Sequence, residues 1–438
     1  MLVAQGTRTL VIVGVGMLVS TLSRLAISIT AAHVLDQTEA GQYLTAFAVM
    51  TVGCVLLRLG LDQNAVRLIA RKANTGPSSS TVVRSSSLIL GVTSAVVIAL
   101  GLAGGTMFGF NTIMHQGVTY RQGAYIVLWL VAEAVRLVFS ESLRGHGRTV
   151  SATVFGDSGR FLVLACAIVG LGVGREASLD SLLAVSCFTA VGWLVLAAGR
   201  LAWIQHSVRS SGSLAVGLIL RGTFAIYVTG VCTSVISQGD TVVVGSTLSH
   251  LSSAIYVNAS RISLLLLLPL SVVNLALSPT LAQSLGTERQ PRVEERVRLV
   301  VTAATAIAVV SYLLVLVGAP LFVHTAFPPD YARVAPLTAV LALGPMATTS
   351  TGPNGLSLVM GGRARVAAWA MGTVSAVQVA LMVAAAHLFG IFGVAAVSSG
   401  GSIAQNVYLA YLARRELGIR TEAFFSPVSL RKALASLG

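Results

Sequence analysis

The sequence predicts an all-α polytopic membrane protein, with about twelve transmembrane helices in two six-helix bundles related as parallel repeats. Three observations predict it. Hydrophobic residues make up 55% of the 438-residue chain and charged residues only 10%, too few to keep a globular surface dissolved. Apolar runs of about 20 residues, the length that crosses a hydrocarbon core, recur from Leu10 to Leu412 between short loops. Arginine collects in every second loop, as cytoplasmic loops require.

The crossings follow in order, each an apolar run between polar loops. Leu10–Ala31 follows Arg8, and Tyr43–Gly60 ends before Arg67, Arg71 and Lys72. Ser85–Phe108 begins after Arg84. Ala124–Phe139 follows Arg121 and precedes Arg144 and Arg148, where Ala152–Val173 begins. Leu182–Gly199 follows Arg175 and precedes Arg200, Arg209 and Arg221. Leu218–Val235, extending somewhat beyond, and Ala254–Asn274 come next. Val297–Ala319 starts after the cluster Arg289, Arg292, Arg296 and Arg298. Pro336–Pro353 follows Arg333 and precedes Arg363 and Arg365. Ala367–His387 and Phe389–Tyr411 are joined only through the Gly390–Gly393 region, so hydropathy by itself leaves eleven or twelve crossings. The charges favour twelve. Opposite the basic loops stand only Arg121, Arg175 and Arg333, and the tail carries Arg414, Arg415, Arg420, Arg431 and Lys432. Both termini are therefore expected in the cytoplasm, which requires an even number of crossings.

This placement accounts for the formal net charge of +14 without nucleic acid as a partner. Cys54, Cys166, Cys187 and Cys232 lie in apolar runs and read as small buried hydrophobes. His115, His250 and His324 do not make a metal-ligand spacing, so no metal is expected. There is no cleavable signal pattern, no large soluble domain and no G-x-x-x-x-G-K-[ST] phosphate loop. An enzyme and a single-chain ATP-driven pump are both disfavoured, and no cofactor is expected.

The pattern also repeats. Val34-Leu-Asp-Gln-Thr-Glu-Ala-Gly-Gln-Tyr43 corresponds to a turn ending at Tyr256, at an offset of 213 residues. Each is a short polar turn, a small residue, and Tyr two later. Residues 1–209 and 210–438 are the expected halves, entering the membrane in the same sense.

At these residues the chain resembles the polysaccharide transporters of the multidrug/oligosaccharidyl-lipid/polysaccharide exporter superfamily, including the O-antigen flippases. The segment from Arg24 through Leu35-Asp36-Gln37-Thr38-Glu39-Ala40-Gly41-Gln42-Tyr43 resembles that family's opening loop. Arg58-Leu-Gly-Leu-Asp62 with Ala65 to Arg71 resembles the end of its second helix. Asp240, Gly245, Ala254, Tyr256, Ala259 and Arg261 resemble its seventh and eighth helices, with Ala254 where the family has glycine. Gly361-Gly-Arg363 resembles its Gly-Arg loop. The resemblance implies a flippase in the bacterial cytoplasmic membrane. It would move polyprenyl-diphosphate-linked oligosaccharide from inner to outer leaflet by alternating access, for surface polysaccharide assembly. Its implied partners are that lipid-linked glycan, membrane lipids, a polysaccharide polymerase and glycosyltransferases. The alternatives are a peptidoglycan-precursor flippase, a cation-coupled small-molecule exporter and a non-transporting scaffold for glycan assembly.

Charge inside a bilayer is costly and marks pathways or internal pairs. Arg24, in the outer part of the first crossing, and Arg261, in the outer part of the eighth, are candidate ligands for the substrate diphosphate, because a guanidinium presents a fork of donors to phosphate oxygens. The alternative is a structural Arg261–Asp240 pair, with Arg24 snorkelling outward. Glu133 and Arg136, then Asp157 and Arg160, are each three apart and predict two same-face pairs in the inner half of the first bundle. Arg58 or Glu141 would extend that network. It would serve as static pairing that closes the cytoplasmic side, or as a relay. Coupling to a proton or Na⁺ gradient through Asp157, Glu133 or Asp240 stands against a passive flip pulled by polymerisation outside.

Overall fold

The computed structural model describes residues 2–58, 119–146, 148–174, 177–206, 223–271, 273–274 and 290–424. The third predicted crossing, Ser85–Phe108, lies outside the described residues, as does the boundary at 209 and 210 between the expected halves. Within the described residues the other predicted crossings are largely helical, Pro336–Pro353 as two short helices, while 218–222 and 272 lie outside them. Among the described residues there is no strand, and nine helical segments are long and apolar enough to span a membrane. The chain is a multi-pass α-helical membrane protein.

The helices are α1 (Leu2–Val34), α2 (Gln37–Arg58), α3 (Tyr120–Gly145), α4 (Thr149–Val173), α5 (Leu179–His206), α6 (Thr223–Thr247), α7 (His250–Ser263), α8 (Gln290–Ala326), α9 (Val334–Leu341), α10 (Leu343–Thr351), α11 (Asn354–Met360) and α12 (Ala364–Leu417). Several overrun the apolar runs at both ends, as Leu2–Val34 does Leu10–Ala31 and Tyr120–Gly145 does Ala124–Phe139. By their contacts they form two units, Met1–Val257 and Asn258–Gly438.

In the first unit α1 packs along α4, α3 along α5, and α2 against both α3 and α6. The exposed face of α1 carries Val11, Val15, Leu18 and Leu22 at helical spacing, while Ser20, Ser23, Ile27 and Ser28 are buried. Large apolar side chains outward and small or polar ones inward are what a lipid solvent selects, since tight packing rather than water exclusion joins the helices.

The repeated turn is built the same way twice. The Asp36 carboxylate accepts the Glu39 backbone N–H at 2.7 Å, and Ser249 Oγ accepts the Ser252 N–H at 3.3 Å. Each caps the helix that follows, and the two caps are again 213 residues apart. The following tyrosines, Tyr43 and Tyr256, are both fully buried, with hydroxyls bonded to Ser186 and Asp240. Within the unit, Thr45 and Ser253 share a hydrogen bond of 2.7 Å. Any Cβ at Gly41 would collide with the His250 carbonyl, so glycine here permits a close backbone approach.

In the second unit α12 is 54 residues long, about 80 Å if straight, far more than a bilayer needs. It breaks at Gly390, with φ 61° and ψ −148°. Gln378, before the break, donates from Nε2 to the Ser398 carbonyl at 3.3 Å, and its side chain fills the space beside Gly401. Residues on either side of Gly390 therefore pack together, and the two arms form a helical hairpin with almost no loop. This settles the junction that hydropathy left open. After α12, a strap with Ile419, Thr421 and Ala423 buried crosses the ends of α8, α10 and α11. The Ala423 N–H donates to the Ser350 carbonyl at 2.9 Å, the Phe424 N–H to Thr302 Oγ1 at 2.8 Å, and Arg298 Nε to the Glu422 carbonyl at 3.1 Å.

Candidate functional site

The most concentrated buried charge in the first unit lies where α1, α3 and α4 meet. On α3, Glu133 and Arg136 share a face as their spacing predicts. Arg136 grips the carboxylate with two donors, Nε to Oε2 at 3.1 Å and Nη2 to Oε1 at 2.6 Å. Arg160 Nη1 adds a bond to the same Oε1 at 3.1 Å. Arg136 and Arg160 are completely buried, and the Glu133 side chain is 3% exposed.

The α4 helix is not regular. Val154–Ser158 form a π turn in which Gly156 departs from helical geometry, with φ −74° and ψ −142°. Such a turn takes carbonyls out of the helical ladder. Three carbonyls at the break accept side-chain donors instead: Ala152 from Ser140 Oγ at 3.0 Å, Val154 from Trp193 Nε1 at 3.2 Å, and Phe155 from Arg136 Nη1 at 2.7 Å. The break also redirects Asp157, whose Oδ2 meets Arg24 Nη2 at 2.7 Å and whose Oδ1 meets Arg136 Nη2 at 3.0 Å.

This corrects the sequence expectation twice. Asp157 and Arg160 are not paired with each other: Asp157 bonds Arg24 and Arg136, while Arg160 bonds Glu133. Arg24 is not separate from the network, because its guanidinium bonds Asp157.

Aromatic rings back the cluster. The Arg24 guanidinium lies 4.1 Å from the Phe161 ring centre, and Arg160 lies 4.8 Å from Phe161 and 5.6 Å from Trp129. Phe47 meets both rings, edge-on to Trp129 at 5.5 Å and tilted to Phe161 at 5.7 Å. A desolvated guanidinium over a ring gains cation–π attraction. Exposure then rises across the site, from Arg136 and Arg160 to the side chains of Arg24 at 30% and Asp157 at 40%. A rigid buried base thus presents one arginine and one carboxylate at its accessible edge.

The remaining candidates lie elsewhere. Arg58 Nε donates to the Cys54 carbonyl at 3.1 Å, at the end of α2. Glu141 pairs with Arg144 near the end of α3. Asp240 is buried and accepts from Tyr256 Oη at 2.9 Å and from the Thr241 N–H at 2.7 Å. Arg261 is half-buried on α7, in the second unit. Sequence reasoning passed over Phe161 and the Phe155 carbonyl. The sequence signal for the last was the glycine beside a carboxylate in Val154-Phe-Gly-Asp-Ser158, inside an otherwise apolar helix. Among the described residues no group of three His, Cys, Asp or Glu side chains is arranged to hold a metal ion.

The fold and this site define the chain as a membrane protein of the two-bundle, roughly twelve-helix class. No protein-family model matches the sequence, and no curated protein matches it. Solved structures match the fold over nearly the whole length. The MATE multidrug transporter DinF-BH in complex with R6G aligns with a TM-score of 0.68 at 16% identity, over 94% of this chain and 95% of that one. An inward-facing multidrug resistance MATE family transporter of the MOP superfamily gives 0.65 at 18% identity, over 94% and 96%. The lipid II flippase MurJ, in an inward closed conformation, gives 0.63 at 14% identity, over 98% and 91%. At these identities the likeness establishes the fold, which is common to multidrug transporters and a lipid flippase.

Proposed function

We propose that this protein is a flippase of the bacterial cytoplasmic membrane. It carries polyprenyl-diphosphate-linked oligosaccharide from the inner to the outer leaflet by alternating access, for surface polysaccharide assembly. Both termini lie in the cytoplasm. The fold relatives support transport in general, since their names include both multidrug transporters and a lipid II flippase.

One observation favours an anionic over a cationic cargo. Both carboxylates of the buried cluster, Glu133 and Asp157, are already held by arginines. A cationic drug would have to displace a guanidinium to reach an acid of this cluster. A diphosphate can compete with Asp157 for Arg24 at the accessible edge. In this reading Arg24 and Arg261 are each a candidate ligand for the diphosphate, while Glu133, Arg136 and Arg160 keep the base rigid and Arg58 and Asp240 serve packing. With the acids engaged in this way, translocation is passive and is drawn forward by polymerisation outside. Membrane lipids surround it, and a polymerase and glycosyltransferases supply and consume its cargo. No nucleic acid, metal or cofactor takes part.

The test is translocation of a defined lipid-diphosphate sugar in vesicles carrying matched amounts of each variant. Arg24→Ala and Arg261→Ala should each slow it by about tenfold to a hundredfold, the value of a charge-assisted hydrogen bond. Lysine at position 24 should rescue in part, restoring charge without the planar fork. Imposed proton and Na⁺ gradients should leave the wild-type rate unchanged. Wild-type rates in both alanine variants would remove the proposed site.

A further inference from the structure

We infer that Asp157 is a built-in competitor for the substrate's diphosphate, occupying Arg24 in the empty protein and hastening release of bound cargo. The inference rests on the reading of Arg24 as a diphosphate ligand.

The geometry separates Asp157 from every other carboxylate of the cluster. Its two oxygens serve two arginines at opposite ends of the exposure gradient, Oδ2 on Arg24 at 2.7 Å and Oδ1 on Arg136 at 3.0 Å. A carboxylate and a phosphate use the same face of a guanidinium fork. An incoming phosphate oxygen therefore meets Arg24 where Asp157 Oδ2 now sits. Glu133, by contrast, is 3% exposed and held by two buried arginines, out of reach of exchange.

The exchange also leaves no charge stranded. Arg136 does not depend on Asp157, because it holds Glu133 through Nε and Nη2 and the Phe155 carbonyl through Nη1. When Asp157 yields Arg24, its other oxygen keeps Arg136, and the ligand brings its own negative charge to Arg24. Losing one partner of a buried pair is costly when the other is left uncompensated, and here neither is. The displaced carboxylate then stands beside a bound anion. Their repulsion weakens binding and favours return of Asp157 to Arg24 as cargo leaves. The π turn at Val154–Ser158 is what aims Asp157 across at α1, so this arrangement depends on the break in α4.

The experiment measures equilibrium binding and dissociation of farnesyl diphosphate, a lipid-diphosphate probe, on the purified full chain in nanodiscs. The proteins are wild type, D157N, D157E and R24A, with D157S run in parallel in case D157N does not fold. Vesicle flipping rates are measured on the same set. The expected result is that D157N binds the probe about three- to tenfold more tightly and releases it more slowly, the scale of a partly exposed ion pair. Its turnover at saturating substrate falls, and D157E keeps wild-type affinity. If R24A loses the probe while D157N and D157S bind it no more tightly than wild type, the inference is overturned and the diphosphate reading stands. If wild type itself binds no probe, the diphosphate reading falls and takes the inference with it.

Discussion

At the scale of single residues, the buried cluster turns on Glu133. It is the counter-charge shared by Arg136 and Arg160, neither of which reaches solvent. Among the described residues the Glu133 carboxylate and the faces of Trp129 and Phe161 lie against the Arg160 guanidinium. Glu133→Ala would leave buried guanidiniums short of a counter-charge, at a cost of about 3–5 kcal/mol. Arg144→Ala removes the Glu141 pair, whose arginine side chain is 42% exposed, and should cost no more than about 1 kcal/mol. Thermal unfolding of both variants in one detergent gives the comparison. Equal losses would mean that the cluster does not stabilise the bundle as its burial implies. The sequence marked Glu133, Arg136, Asp157, Arg160 and Arg24 as charges needing a reason inside a membrane. Of the two same-face pairs it predicted, the bonded one is Glu133 with Arg136, a contact set by spacing along one regular helix.

At the scale of elements, two departures from regular helix do the positioning, and both fall at glycine. In α4 the turn around Gly156 frees carbonyls for Ser140, Trp193 and Arg136 and swings Asp157 toward α1. In α12, Gly390 reverses the chain. Its φ of 61° with ψ of −148° is a backbone region essentially closed to residues with a side chain. Gly390→Ala should cost about 1–3 kcal/mol through that strain, although no atom lies near the added methyl. The midpoint of thermal unfolding measures it, and an unchanged midpoint would place the reversal elsewhere in the hairpin. Hydropathy located this junction to within a few residues. It could not say whether the chain turned there, because a straight helix and a hairpin of two apolar arms have the same composition.

At the scale of the whole molecule, the distribution of basic residues predicts the orientation. A reporter fused after Gly418 should act as cytoplasmic, and one inserted at Ser178, in the sparsely basic loop before α5, should act as external. An external carboxyl terminus would contradict an even number of crossings. The fold class, the crossings and the repeated turn at Tyr43 and Tyr256 were legible in the sequence because their causes act locally. Hydrocarbon thickness sets the length of each run, the cost of moving charge sets which loops are basic, and a cap needs only its neighbours. Charges that a membrane does not tolerate without compensation were visible for the same reason. Which charge compensates which was not. Arg24 and Asp157 meet across 133 residues of chain, a contact that depends on the register of α1 against α4 and on a π turn that leaves no periodic trace. Only the packed structure decides that, because it is the packing of one helix on another, and not the composition of either, that brings a guanidinium within reach of a carboxylate.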